Sequence, residues 1–127
     1  MAFLTQKYAK IMENLILEKV GETQYLAVQC LKEGKWDEVD KYIIAIKASL
    51  EQVLDGRQKG REVLITLVDL AKDMRGYESK KDEALKLVKD LCTQFGKDLG
   101  ADDPDLINAL GTVRQWEDSI PKKRSAE

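Results

Sequence analysis

Pairs of carboxylates are the side chains in this sequence whose spacing comes closest to supporting chemistry. Glu18 and Glu22 stand four residues apart, and so do Asp69 and Asp73. Two carboxylates at this spacing share one face of a helix, where they could bind a hard cation. Neither pair has the further oxygen ligands that such a cation requires, so we interpret both as acidic side chains on solvated helix faces. We expect no metal site and no cofactor.

The chain has no histidine among its 127 residues. This excludes catalytic triads built on imidazole, histidine general bases and histidine metal sites. The sequence also has no Cys-x-x-Cys motif and no glycine-rich phosphate-binding motif. Its two cysteines, Cys30 and Cys92, occupy apolar positions of predicted helices, and we expect both to be buried free thiols in a reducing compartment. The sequence therefore favours protein binding over catalysis, and we expect a protein that is not an enzyme.

Composition indicates a single helical domain. Hydrophobic residues make up 43% of the chain and charged residues 35%, whereas aromatic residues make up 6% and prolines number two. This balance is typical of long helices and disfavours a β-sandwich, and the net charge of −2 gives no sign of a nucleic-acid-binding surface. Residues 1–120 are predicted to form one domain, and the basic segment 121–127 is predicted to be a disordered tail. Neither a signal peptide nor a membrane-spanning stretch is evident, so we expect a cytoplasmic location.

Turn signals delimit the first two helices. A helix is predicted from Ala2 to Glu33, continuous through a weak point at Gly21, and Gly34 is predicted to end it. A second helix begins at Trp36, with acidic residues in its first turn, and is predicted to end at Asp55–Gly56. We expect Trp36 to pack beneath the turn between the two helices.

A seven-residue apolar rhythm runs from Gly60 to about Leu99. Its steps alternate between four and three residues, which places every position on one helix face. Because the rhythm passes through Arg75–Gly76–Tyr77 without a change of phase, we predict one continuous helix of about forty residues, roughly 60 Å long. Its positions are Val63, Leu67, Leu70, Met74, Tyr77, Lys81, Ala84, Val88, Leu91 and Phe95.

A short fourth helix is predicted after Asp102. Asp103 is placed as its N-cap, Pro104 takes the first helical position, and Asp105 lies near the positive end of the helix dipole. Only the first two helices are large enough to cover the long third helix. The predicted fold is therefore an all-α, elongated antiparallel three-helix bundle with a short fourth C-terminal helix.

A second apolar column lies beside the main rhythm of the third helix, and it makes the apolar face wider than a two-stranded coiled coil requires. We expect this column and the face of the fourth helix to form a partner-binding groove. For Trp116, docking on the bundle and contact with a partner remain alternatives. The predicted partner-binding residues are Leu85, Cys92, Leu99, Leu106, Leu110, Val113 and Trp116.

Residues 26–54, LAVQCLKEGKWDEVDKYIIAIKASLEQVL, resemble the helical hairpin of the small flagellar export chaperones of the FliT and FlgN type. In that family an apolar helix ends in a short Gly-x-Trp-Asp-like turn, and the chain length, helical make-up and mild acidity are similar as well. The resemblance implies a cytoplasmic type III export chaperone that binds a helical segment of a secreted or flagellar protein in an apolar groove. It also implies a C-terminal segment that can cover that groove, formed here by Leu106, Leu110, Val113 and Trp116.

Two alternatives stay open. The same stretch resembles a single tetratricopeptide repeat, with Ala27, Gly34, Trp36 and Tyr42 in corresponding positions, although no second copy follows it. A self-assembling structural or coiled-coil subunit would instead use the long third helix to form a homo-oligomer.

Overall fold

The computed structural model describes residues 2–119, with side chains from residue 7 onward. This part of the chain forms five α-helices, one 3-10 turn at Glu78–Lys80 and no strand, which confirms the all-helical prediction. The basic tail predicted for residues 121–127 lies outside the described residues. The helices are α1 (Ala2–Glu33), α2 (Trp36–Leu50), α3 (Gly56–Met74), α4 (Lys81–Leu99) and α5 (Pro104–Asp118).

The first helix, α1, is continuous, as predicted. Gly21 lies within it without breaking it, and the Thr23 hydroxyl just after it donates to the Lys19 carbonyl over 2.9 Å, within the same helix. A glycine in a helix interior costs about 1 kcal/mol relative to alanine, which the packing of a 32-residue helix outweighs.

The end of α1 is a Schellman motif centred on Gly34, as its placement after the apolar run predicts. Gly34 adopts a φ of +73°, a left-handed backbone conformation that residues with a Cβ atom disfavour. The Lys35 N–H donates to the Cys30 carbonyl over 2.9 Å, and the Gly34 N–H donates to the Leu31 carbonyl over 3.2 Å. This tight turn allows α2 to begin at Trp36 and to run back along α1.

Trp36 is half-buried at the α1–α2 turn and packs against the core, in agreement with its predicted position. Its ring also lies 5.8 Å from the ring of Tyr77, which precedes α4. The second helix ends at Leu50, several residues earlier than predicted, although Val53 in the following turn is still buried.

The prediction of one helix from Gly60 to Leu99 is wrong. The third helix, α3, ends at Met74, and Tyr77 is extended (φ −119°, ψ 124°). After the 3-10 turn the chain resumes as α4, which packs along α3. The residue before α4, Lys80, provides no side-chain capping hydrogen bond to it.

The unbroken rhythm has a simple physical cause. Two helices that fold back on each other must each present one apolar face, and the faces of α3 and α4 cover each other. Gly60 near the start of α3 lies against Phe95 and Leu99 near the end of α4, which shows the antiparallel pairing. A constant phase is therefore compatible with a hairpin as well as with a rod. The chain has five described helices where four were predicted.

The central helix of the domain is α3, which contacts the four other helices. It runs in the same direction as α1. Gln24 of α1 donates to Asp69 of α3 over 2.9 Å, and further along both helices Lys32 of α1 lies near Asp73 of α3. The shared core consists mainly of aliphatic side chains that are almost completely buried. They include Leu31, Val39, Ile46, Leu50, Leu64, Leu67, Leu70, Met74, Val88 and Leu91.

Candidate protein-binding surfaces

The two carboxylate pairs, Glu18 with Glu22 and Asp69 with Asp73, lie on helix surfaces. Glu18 and Glu22 are exposed on α1, and Asp69 is engaged by Gln24. Burial and the neighbouring Asp69 charge raise the pKa of Asp73, while Lys32 partly opposes them. Within residues 2–119, no group of three or more histidine, cysteine or acidic residues is placed to hold a metal ion.

The last helix, α5, is docked on α3 and α4, and Asp103 secures its first turn. The Asp103 side chain accepts hydrogen bonds from the N–H groups of Asp105 and Leu106, which is the N-cap predicted from the sequence. It also accepts a hydrogen bond from the Arg61 guanidinium over 3.0 Å, and a guanidinium nitrogen of Arg57 lies 3.6 Å away. The two arginines belong to α3, so one carboxylate both caps α5 and joins it to the central helix.

The electrostatics of Asp103 follow from this geometry. Burial of the carboxylate opposes its ionisation, but the hydrogen bonds from Arg61 and from the Leu106 and Asp105 N–H groups outweigh it. These hydrogen bonds hold the pKa of Asp103 below its ordinary value of 3.8. The group is therefore ionised at neutral pH, and the ion pair with Arg61 is present there.

The other end of α5 is held by a third arginine, Arg75, at the end of α3. The Arg75 guanidinium lies 4.8 Å from the centre of the Trp116 ring, a distance typical of a cation–π contact, and it donates a hydrogen bond to the Ser119 hydroxyl. Glu117 forms an ion pair with Lys89 of α4 over 3.0 Å. Polar contacts thus hold both ends of α5, and apolar contacts lie between them.

Most of the predicted partner-binding residues are buried within the domain, where α5 packs on α3 and α4. On α4, Lys89 contacts α5 through Glu117, and Gly96 lies against Leu106. These contacts place the flanking column of Leu85, Cys92 and Leu99 on the side of α4 that faces α5. Of the seven predicted residues, Leu85 is half-buried, Leu110 is 43% exposed, and the others are buried: Cys92, Leu99, Leu106, Val113 and Trp116.

A different apolar surface is exposed on the first half of α1. Tyr8, Ile11, Met12 and Leu15, which we call the α1 stripe, are 67%, 45%, 53% and 56% exposed. The sequence analysis assigned these positions no function. The sequence does contain a signal for this surface, because Ile16 and Val20 form a separate apolar face on the same helix. The structure buries that face. A surface helix needs only one apolar face for its core, so the second face is available for another purpose.

The loop after α2 extends this exposed surface. Leu54 is 82% exposed, and Val53, Leu54, Met12 and Ile16 line an apolar cleft of about 220 Å³ between the loop and α1. The cleft opens beside the α1 stripe, so the two form a continuous apolar region at one end of the domain.

Sequence analysis also missed Lys80, which is only 2% exposed. Its ammonium donates to Asp40 of α2 over 2.7 Å and to Glu83 of α4 over 2.9 Å. Burial lowers the pKa of Lys80, but these two carboxylates outweigh burial and raise it above 10.5. Nothing in the charge-rich stretch around this position marks one lysine as buried. The contact fastens α2 to the start of α4.

No protein-family model, no curated protein and no solved structure matches this chain. None of the helices in residues 2–119 is long and apolar enough to cross a membrane.

Proposed function

We propose that this protein is a non-catalytic binding module that takes an apolar helix of another protein on the face of α3 and α4 that α5 occupies. The observation that carries the proposal is that α5, itself a short helix, buries apolar side chains on that face. Leu106, Val113 and Trp116 are buried there, while Ile107 and Leu110 on the same helix are 54% and 43% exposed. A partner helix with apolar residues at comparable spacing would find the same complementary surface.

Several features make α5 suitable as a replaceable occupant. It has 15 residues and one glycine in its interior, Gly111, which lowers its helical stability by about 1 kcal/mol relative to alanine. Its polar contacts with the rest of the domain are a few ion pairs and hydrogen bonds at its two ends. A partner that reproduced the apolar contacts would need to compensate for only these polar ones.

The resemblance of residues 26–54 to the flagellar export chaperones gives the proposal its most concrete form. On this view the protein is a cytoplasmic chaperone for type III export. Its partner is a helical segment of a secreted or flagellar protein, and α5 covers the groove until that partner binds. The five helices then act as one elongated bundle, with α1 to α4 as the platform and α5 as the cover.

Capture from a lysate of the native host tests the proposal with four full-length proteins. Asp103→Asn keeps an acceptor for the N-cap but removes the charge that pairs with Arg61, so it loosens α5. Leu85→Asp places a charge in the half-buried column of α4. Ile44→Asp, at a 67% exposed position on α2, is the matched control.

The proposal predicts that Asp103→Asn captures more of one partner than the wild type does, that Leu85→Asp captures less, and that Ile44→Asp is unchanged. Circular dichroism of each variant establishes that it is folded. Equal capture by all four folded proteins would contradict a binding face beneath α5.

A further inference from the structure

The face of α3 and α4 beneath α5 carries positive charge at both of its ends. At the start of α5, the Asp103 carboxylate lies 3.0 Å from a nitrogen of Arg61 and 3.6 Å from one of Arg57. Near the end of α5, the Glu117 carboxylate lies 3.0 Å from the Lys89 ammonium. In all three ion pairs the cation belongs to α3 or α4. When α5 leaves the face, these cations lose their carboxylates and can pair with those of an incoming helix.

The segment that covers the face is acidic as a whole. Residues 102–118 contain five acidic residues and one basic residue, Arg114, which gives them a net charge of −4. Residues 1–101 contain equal numbers of acidic and basic residues, so they have no net charge. A basic helix on this face would place like charges against Arg57, Arg61 and Lys89. The face therefore selects acidic helices from among apolar ones.

The face also sets the length and the direction of a helix that fits it. Arg75 lies 4.8 Å from the centre of the Trp116 ring, near the end of α5. Arg61 and Arg75 are fourteen positions apart, which is roughly 21 Å along a helix. Their contacts on the covering segment, Asp103 and Trp116, are thirteen positions apart, which is roughly 20 Å. The two lengths match because α5 runs alongside α3 in the same direction.

Apolar side chains fill the space between the two charged ends. The buried apolar residues of α5 follow one another at steps of three, four and three positions, which places them on one side of the helix. They are Leu106, Ala109, Val113 and Trp116. Ala109 has no exposed surface, so a small side chain occupies the middle of the contact.

We propose that the partner of this face is an acidic amphipathic helix that carries the same pattern as α5. It begins with a carboxylate as N-cap, which pairs with Arg57 and Arg61. Apolar residues follow three, six and ten positions later, the second of them small. An aromatic residue at the thirteenth position contacts Arg75, and an acidic residue beside it pairs with Lys89. This inference rests on the proposed function, because it gives the chemistry of the helix that would replace α5.

Two synthetic peptides test whether the face selects acidic helices. One has the sequence of residues 102–119, and the matched peptide carries Asp103→Asn and Glu117→Gln, which keep its apolar residues and an N-cap acceptor. Full-length Asp103→Asn protein, whose own α5 is loosened, is the receptor, and fluorescence anisotropy measures binding. The acidic peptide should bind roughly tenfold more tightly than the neutral one, and added salt should weaken its binding more.

The outcomes separate this proposal from the proposed function. Equal dissociation constants for the two peptides would overturn the charge selection while leaving an apolar binding face beneath α5. Binding of neither peptide would count against both the face and its selectivity.

A charge exchange tests one predicted contact without relying on the stability of α5. In the Asp103→Asn protein, adding Lys89→Glu should weaken the acidic peptide by about threefold, and a peptide with Glu117→Lys should bind this variant more tightly than the acidic peptide does. Lys86→Glu is the matched control, because Lys86 lies on the side of α4 that faces Asp40 and Ile43 of α2. Circular dichroism establishes that each receptor is folded. Failure of the exchanged pair to recover binding would overturn the predicted contact with Lys89.

Discussion

Asp103 and Arg61 lie 3.0 Å apart, joining the first turn of α5 to the start of α3, and the Asp103 side chain is fully enclosed at that contact. The same carboxylate caps α5. One residue thus marks where the last helix begins and attaches that end of the helix to α3.

This pair predicts a specific pH dependence of stability. The pKa of Asp103 is lower in the folded protein than its ordinary value of 3.8, so the unfolded chain binds its proton more readily. The contribution of Asp103 is therefore fully present above pH 3.8 and is lost as the pH falls through the lower, folded value. Urea denaturation should show that wild type is more stable than Asp103→Asn at neutral pH, and that the difference shrinks in strong acid. Asp102→Asn, at the exposed neighbouring position, is the control and should show no such difference.

Cys92 should report on the docking of α5. It is 9% exposed, and burial raises the pKa of its thiol, so its reaction with iodoacetamide should be slow at neutral pH. Loosening α5 by Asp103→Asn should accelerate alkylation of Cys92. Cys30 is half-buried on α1, whereas α5 packs on α3 and α4, so Cys30 serves as an internal control whose rate should not change. Site-resolved mass spectrometry measures both rates, and parallel acceleration of the two thiols would indicate general unfolding instead.

Alanine substitutions at two glycines distinguish the effect of helix propensity on stability from the effect of helix packing. A Cβ added at Gly111 meets nothing within 4 Å, so Gly111→Ala should stabilise α5 and raise the free energy of unfolding by about 1 kcal/mol. A Cβ at Gly60 would lie 3.2 Å from the Phe95 ring, where α3 and α4 approach closely. Gly60→Ala should therefore raise the free energy of unfolding less than Gly111→Ala does, or lower it by roughly 1 kcal/mol or more. Thermal denaturation of both variants tests this, and an equal gain would show that the α3–α4 contact is loose.

The sequence predicts those parts of this fold that depend on neighbouring residues. The end of α1 at Gly34 and the start of α5 at Asp103 follow from hydrogen bonds within a few positions, so their residue types suffice to locate them. The break after Met74 depends on whether the apolar face of α3 is covered by α4 or by another helix, and the rhythm is the same in both cases. Tyr77 and Lys81, the two least apolar members of the rhythm, mark the break in retrospect.

The candidate surfaces show the same division. The column of Leu85, Cys92 and Leu99 could be recognised as a second apolar face from its spacing alone. Its covering by α5, and the exposure of Tyr8 on α1, depend on which helix docks where, and periodicity carries no information about that. The burial of Lys80 likewise results from the approach of Asp40 on a different helix.

Lys80 gives a further prediction about how α2 is held. Neutralising both carboxylates by Asp40→Asn with Glu83→Gln keeps oxygen acceptors but leaves a buried ammonium without a charged partner, which should cost about 2 kcal/mol or more in the free energy of unfolding. Lys80→Met should cost less, because the two carboxylates are half-exposed and can be hydrated. Asp90→Asn, which removes the exposed Lys86–Asp90 pair, is the control and should be nearly neutral. Urea denaturation measures all three, and a Lys80→Met variant less stable than the double variant would contradict the account.

Hydrogen–deuterium exchange of the full chain, with and without its captured partner, tests the central claim most directly. If the partner takes the face of α3 and α4 that α5 covers, amides of residues 104–118 should exchange faster in the complex, while those of α4 remain protected. If α5 keeps or gains protection when the partner binds, the partner occupies another surface and α5 is a permanent part of the core.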